Sequence, residues 1–414
     1  MNRPRGIPFQ QAHWFECKQF NAELAAPWTT QGARHDSRGG VVRRIPMLWV
    51  PAGTAALAVG LTAVPIPAVA AAPTIQVTCS SHALVAAIDE ANKKGGTLEL
   101  APRCRYVLSK AAADTTGLPP IRNTVVVRGH DATIARAEGS AHFRIFYVED
   151  SGSLHLQDLT VTKGNANGGG APAFTSGGGI YSAGDLGLDH VSVIGNTAGD
   201  GGGGGVATVG KGTATIDRSR ISGNITTGVA GGIAAEGRSM TVNDSQISFN
   251  TAKAGGGIHN TGATLVLKKG DIRGNNALEY GGAIANLSVG PSSGILRMYS
   301  TEIRFNNVLG TGSGIFTGGG GVFNYSRGTV QASDSTVSNN RSDGPGTSGG
   351  GIKNFATVQL IRTKVMNNAA VVAPGGIDNG NNPGSTMALV SSTVQSNDDT
   401  NCKGSAGAVP GCKD

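Results

Sequence analysis

Residues 255–286 read GGGIHNTGATLVLKKGDIRGNNALEYGGAIAN, and two phrases alternate within them. The first is a glycine run, an aliphatic residue and an asparagine two positions later, as in GGGIHN at 255–260 and GGAIAN at 281–286. The second is a β-branched residue followed three positions later by asparagine, as in IRGN ending at Asn275. Between them lie short runs, Thr264-Leu265-Val266-Leu267 and Asp271-Ile272-Arg273, that alternate at period two and so offer one face inward and one outward. No helical period survives here. The first phrase recurs as GGGIYS at 177–182, GGGVAT at 203–208, GGIAAE at 231–236, GGVFNY at 320–325, GGGIKN at 349–354 and GGIDNG at 375–380. Its aliphatic residue steps through Ile180, Val206, Ile233, Ile258, Ile284, Val322, Ile352 and Ile377, at intervals of 26, 27, 25, 26, 38, 30 and 25 residues. A repeat of this length cannot bury its own apolar face, so successive repeats must stack. The expected fold is all-β: a parallel β-helix, right-handed by the rule for parallel crossovers.

In that register Ile180, Ile258, Ile284, Val322, Ile352 and Ile377 form one interior column. Val193, Ile221, Ile247, Ile272, Ile303, Val337, Val365 and Val394 form a second. Glycine supplies the positive-φ corners and lets backbones approach closely. Asparagine tolerates the left-handed region and satisfies corner backbone groups. Asn224, Asn250, Asn275, Asn306, Asn340, Asn368 and Asn397 therefore read as scaffold, stacked into an amide ladder.

The GGAI/GGGI and I-x-x-N phrases resemble the repeats of the polymorphic outer membrane protein and pectin-lyase-like β-helix superfamily, over about residues 150–400. The family's second phrase begins with phenylalanine, where this chain has isoleucine or valine. No run of amphipathic membrane strands follows before Asp414, so an autotransporter-type barrel is not expected. The resemblance implies the fold; the fold itself hosts lyases, hydrolases, adhesins and inert surface proteins.

The 414 residues include 65 glycines, with 5% aromatics, so the core must be built from Val, Ile, Leu and Ala. The net charge is +7. Residues 1–70 carry 7 Lys/Arg and 3 Asp/Glu, leaving 27 against 24 beyond, so charge gives nucleic-acid binding no support. Residues 1–40 read as an extended leader or a mis-assigned start, and 41–70 as a signal peptide. There Arg43-Arg44 precede an apolar run ending in Ala68-Val69-Ala70, which predicts cleavage after Ala70 and secretion, by the Sec or twin-arginine route. Prolines 51, 65 and 67 argue against a retained anchor. Residues 71–150 form an N-terminal cap and first irregular coils, 151–400 the regular β-helix, and 401–414 a disulfide-tied cap. Ser80-Ser81 start a short capping helix to about Asn92, and Gly95-Gly96 stop it. Loss of Cys17 leaves an even four cysteines, with local pairing expected for Cys79 with Cys104 and Cys402 with Cys412. Without a C-x-x-C or neighbouring histidine pair, zinc is the weaker reading of these four.

The candidate site follows from the residue after each aliphatic, which points away from the core. That outward column is Tyr181, Ala207, Ala234, His259, Ala285, Phe323, Lys353 and Asp378, bordered by the variable loops 307–318 and 341–348. Tyr280, Tyr325 and Arg327 lie near it in sequence. Aromatic faces pack on sugar rings and cations pair with uronate carboxylates. Tyr181, Tyr280, Phe323, Tyr325 and Asp378 are accordingly the expected ligand-binding residues of a monomeric, secreted, non-catalytic protein. Its expected partner is an extracellular polysaccharide or cell-surface component, with no cofactor. The other reading is a polysaccharide lyase, acting by β-elimination on a uronate glycan, with calcium as the metal it would call for. His259 or Lys353 would then be the base and Arg327 the charge neutraliser. The bland reading of the column is solvated outer surface.

Overall fold

The computed structural model describes residues 73–168, 175–237, 239–288, 290–310 and 317–414. Residues 1–70, read above as leader and signal peptide with cleavage expected after Ala70, lie outside these residues, as does part of the 307–318 loop. The chain is a parallel β-solenoid of about 10 turns. The repeat quoted above traverses three sheets in one turn. Ile258–Thr261 joins a nine-stranded sheet, here the first. Thr264–Lys268 and Asp271–Arg273 join a twenty-stranded second sheet, and Asn276–Tyr280 an eight-stranded third. Each strand pairs in parallel with its equivalent one turn away, so Ile258 stands between Ile233 and Ile284. The interior columns are as expected: Ile258, Ile284, Val322, Ile352, Ile272, Ile303 and Val337 are all fully buried in one continuous core.

Polar ladders close the corners. Asn224 Nδ2 donates to Asn250 Oδ1 at 3.0 Å, Asn250 to Asn275 at 2.9 Å and Asn275 to Asn306 at 2.9 Å, continuing through Asn340 and Asn368 to Asn397. Each Oδ1 also accepts from the backbone N–H of the preceding turn's asparagine, and each Nδ2 reaches a carbonyl of the previous turn, as Asn275 Nδ2 does to Ile247 O at 2.9 Å. The asparagines of the first phrase form a second ladder from Asn260 through Asn286, Asn324 and Asn354 to Asn379. Hydroxyls cap the bend inside the second sheet: Val191 N–H donates to Ser219 Oγ at 3.0 Å and Ser219 N–H to Ser245 Oγ at 2.9 Å. In each case a side chain replaces the water that a buried corner has lost.

The helix Ser81–Lys94 buries Leu84, Ala87, Ile88 and Ala91 against the first coils, and Gly95 ends it at φ 75°. Cys79–Cys104 ties this cap at a Cα separation of 5.6 Å, and Cys402–Cys412 ties the other end at 6.4 Å. Both pairings are the local ones expected. Caps of this kind cover strand edges that a solenoid otherwise leaves open. Among the described residues no helix is long and apolar enough to cross a membrane.

Candidate functional site

The outward column is in register as expected: Tyr181, Ala207, Ala234, His259, Ala285, Phe323, Lys353 and Asp378 are paired on successive turns. It is not, however, a solvated surface. His259 is 6% exposed, Phe323 1%, Lys353 5% and Asp378 8%. The reason is local. A glycine at the head of most of these runs takes positive φ (Gly255 61°, Gly319 68°), with Ala230 in that place before the run at 231–236, so the arm arriving from the third sheet folds back over the outer face of the first. A Cβ on Gly255 would lie 2.9 Å from the Cβ of His259, a distance only glycine allows. The residue before that glycine therefore covers the column: Tyr280 lies over His259 and Phe323, and Ser348 over Lys353 and Asp378.

Toward the C-terminal end an aromatic cluster results. Tyr280 and Tyr325 lie 4.7 and 6.2 Å from Phe323, centroid to centroid, and Phe355 lies 5.9 Å from it. Phe323 is thus the packed floor, while the half-buried Tyr280, Tyr325 and Phe355 form the face that a ligand can reach. Phe355 went unnoticed because it follows the asparagine of its phrase rather than the aliphatic residue. Beside it, Lys353 Nζ donates to Ser348 Oγ at 2.8 Å, and Ser348 Oγ donates to Asp378 Oδ2 at 2.6 Å. Lys353 Nζ and Asp378 Oδ2 are themselves 3.6 Å apart. Burial pulls the lysine below its usual range, and the neighbouring carboxylate opposes that shift.

The residues assigned to lyase chemistry do not converge. His259 and Lys353 stand three turns apart, about 14 Å at the usual strand spacing, too far to serve one carbon. Arg327 is exposed and donates to the Gly290 carbonyl. Among the described residues no group of three or more His, Cys, Asp or Glu stands together that could hold a metal ion.

His259 is instead a buried neutral ring. Its Nδ1 lies 2.8 Å from Thr261 Oγ1, and burial pushes its pKa down to about 4 from 6.5. A folded value below the unfolded one means that the native state binds fewer protons between the two. Stability that is full above pH 6.5 is therefore lost as pH falls toward 4, by about 3 kcal/mol. Urea midpoints measured from pH 7 to pH 4 should fall more steeply for the native chain than for His259→Gln. Parallel profiles would remove this account.

At the N-terminal end the column extends one turn further, where Tyr147 in the strand Phe146–Val148 pairs with Tyr181. The two rings meet edge-on with centroids 5.6 Å apart. Arg144 is 2% exposed, and its guanidinium lies 4.9 Å from the Tyr181 centroid. Burial lowers its pKa to about 10, which leaves it a cation at neutral pH. Burial also raises the phenols of Tyr147 and Tyr181, so both stay protonated donors. These three residues, with Thr116, Arg122 and Glu149, line a cavity of about 240 Å³. Arg122 Nε and Glu149 Oε1 pair at 2.9 Å at its margin. Sequence reasoning found Tyr181 here but not Arg144 or Tyr147, because the glycine phrase that marks the column is absent from this turn. The chain matches no protein-family model, no curated protein and no solved structure.

Proposed function

We propose that this is a secreted β-helix protein that holds an extracellular, carboxylate-bearing polysaccharide along the outer face of the first sheet, without catalysis. The observation that carries the reading is the buried Arg144 cation, stacked on Tyr181 beside a cavity lined by aromatic and hydrogen-bonding groups. An arginine fork matches a carboxylate bidentately, and the attraction is strongest where water is excluded. At about 240 Å³ the cavity falls below the roughly 300–1,000 Å³ usual for small-molecule sites, which suits one sugar unit rather than a whole oligosaccharide. The rest of the chain would run over the cover of Ala207 and Ala234, which are themselves buried, toward the half-buried Tyr280, Tyr325 and Phe355. From Tyr181 to Phe323 is five turns, about 24 Å, room for several sugar units. The signal-like segment and two disulfides support export. The resemblance of the repeats to pectin-lyase-like proteins supports a carbohydrate partner.

Titration calorimetry with oligogalacturonate, alginate oligomers and a neutral glucan tests this. Uronate binding should weaken by about tenfold or more in Tyr147→Ala and Arg144→Lys, with an unchanged melting temperature in the first. Affinity for the neutral glucan that equals the uronate affinity and is weakened by the same two variants, or full uronate affinity in both variants, would overturn it.

A further inference from the structure

The corner that precedes each asparagine of the long ladder is left-handed on every regular turn. Its occupants are Gly195, Gly223, Phe249, Gly274, Phe305, Asn339, Asn367 and Ser396, all with φ between 54° and 63°. Glycine and asparagine fit this region best; other corners of the solenoid hold Arg218, Lys269 and Arg362 in it, so what sets two occupants of this corner apart is the large apolar ring. Phe249 and Phe305 both sit at φ 56°, and they are 56% and 57% exposed. Neither strain nor exposure of a large ring favours the isolated fold, and each occurs twice at equivalent positions. Two large rings left exposed at equivalent corners point to a surface that is used.

The rings are also placed in a particular way. They are two turns apart, about 9.6 Å along the solenoid axis, with Gly274 between them. A Cβ on Gly274 would fall 2.7 Å from the Phe249 ring, so that ring lies along the ridge over the glycine corner. The Arg304 guanidinium sits 5.9 Å from the Phe305 centroid. Two residues on, Thr251, Asn276 and Asn307 pair in register on the third sheet and run as a polar row beside the ridge. Exposed Ile225, Leu278, Leu309 and Val371 flank it. The charges nearby are matched within the molecule: Arg304 with Asp271 at 3.1 Å, Lys253 with Glu279 at 3.5 Å, Arg341 with Asp343 at 2.9 Å.

We infer that the ridge of Phe249 and Phe305, with the row Thr251–Asn276–Asn307, is a second carbohydrate-binding surface, one that takes an extended, uncharged polysaccharide lying parallel to the solenoid axis. A ring laid along the ridge stacks on the C–H face of a pyranose, whereas a protein partner calls for side chains that insert. The two-turn spacing places one ring under every second sugar of a chain whose successive units flip, as in 1,4-linked β-glycans. Amide and hydroxyl groups alongside meet the sugar hydroxyls, and internally paired charges match a neutral ligand. This surface runs along the corner between the second and third sheets, apart from the outer face of the first, and it does not rest on the acidic-glycan reading.

The test uses the full exported protein with cellulose, chitin and soluble mannan as probes, by pull-down and affinity electrophoresis. Phe249→Asn and Phe305→Asn are the variants, because asparagine already occupies this corner at 339 and 367. Each should weaken retention about tenfold, and the pair more, while the melting temperature rises as the left-handed strain is relieved. Tyr147→Ala, in the other site, should retain full binding to these neutral probes, which separates the two readings. Retention unchanged in the double variant, or no retention of the native protein by any of the three, overturns the proposal. So does sedimentation showing a concentration-dependent dimer that the double variant abolishes, since the ridge would then be an interface between copies.

Discussion

Asn275→Ala should cost 4 kcal/mol or more, by the roughly 1–3 kcal/mol lost for each buried polar group left unpaired. Asn275 has no exposed surface and makes four hydrogen bonds through its amide. Its Oδ1 accepts from the Asn250 N–H at 3.0 Å and from Asn250 Nδ2 at 2.9 Å. Its Nδ2 donates to Ile247 O and to Asn306 Oδ1, both at 2.9 Å. Alanine leaves these partners inside the solenoid with no water to take its place. Because each turn is held only by its neighbours, the break should also split one urea transition into two. Asn397→Ala is the comparison: it lies at the half-exposed end of the same ladder, where solvent substitutes, and about 1 kcal/mol is expected. Urea denaturation followed by circular dichroism decides. A loss at Asn275 no larger than that at Asn397 would show that the ladder is incidental.

Lys353→Met should destabilise by about 3–5 kcal/mol, the usual cost of removing one partner of a buried ion pair. Asp378 would keep the Ser348 hydroxyl at 2.6 Å but lose its cation, at 8% exposure. Lys353→Met combined with Asp378→Leu should instead come within about 1 kcal/mol of the native protein, because two well-packed apolar groups carry no desolvation cost. A double-mutant cycle reads the coupling directly. Additive losses would mean that the two side chains act independently, and the pair would then hold no structural role. This is a different expectation from a lysine on a solvated face, where substitution would cost little.

The reach of the sequence differed between scaffold and site for identifiable reasons. The interior columns headed by Ile258 and Ile272 followed from period-two alternation and a repeat in the twenties, since a strand must pair with its copy one turn away. The ladder of Asn224 to Asn397 followed from the same register, because identical residues at one corner must stack. Cys79–Cys104 and Cys402–Cys412 were local enough in sequence to be read correctly. The hydroxyl ladder through Ser219 and Ser245 was not seen: serine and threonine are common, and nothing local marks a buried corner within a continuous sheet.

The direction of His259, Phe323, Lys353 and Asp378 away from the core was determined by the sequence alone, through alternation. Whether that direction led to water was decided only by the tertiary structure. A left-handed residue at the head of most runs, usually glycine, bends the preceding arm over the sheet, and the residue covering each position, Tyr280 or Ser348, comes from a different part of the turn. In the same way Arg144 and Tyr147 join Tyr181 through pairing between turns, in a coil without the repeat's glycine phrase. Periodicity reports which face of a strand a residue occupies; burial depends on what other segments bring against that face, and only the folded chain supplies those neighbours.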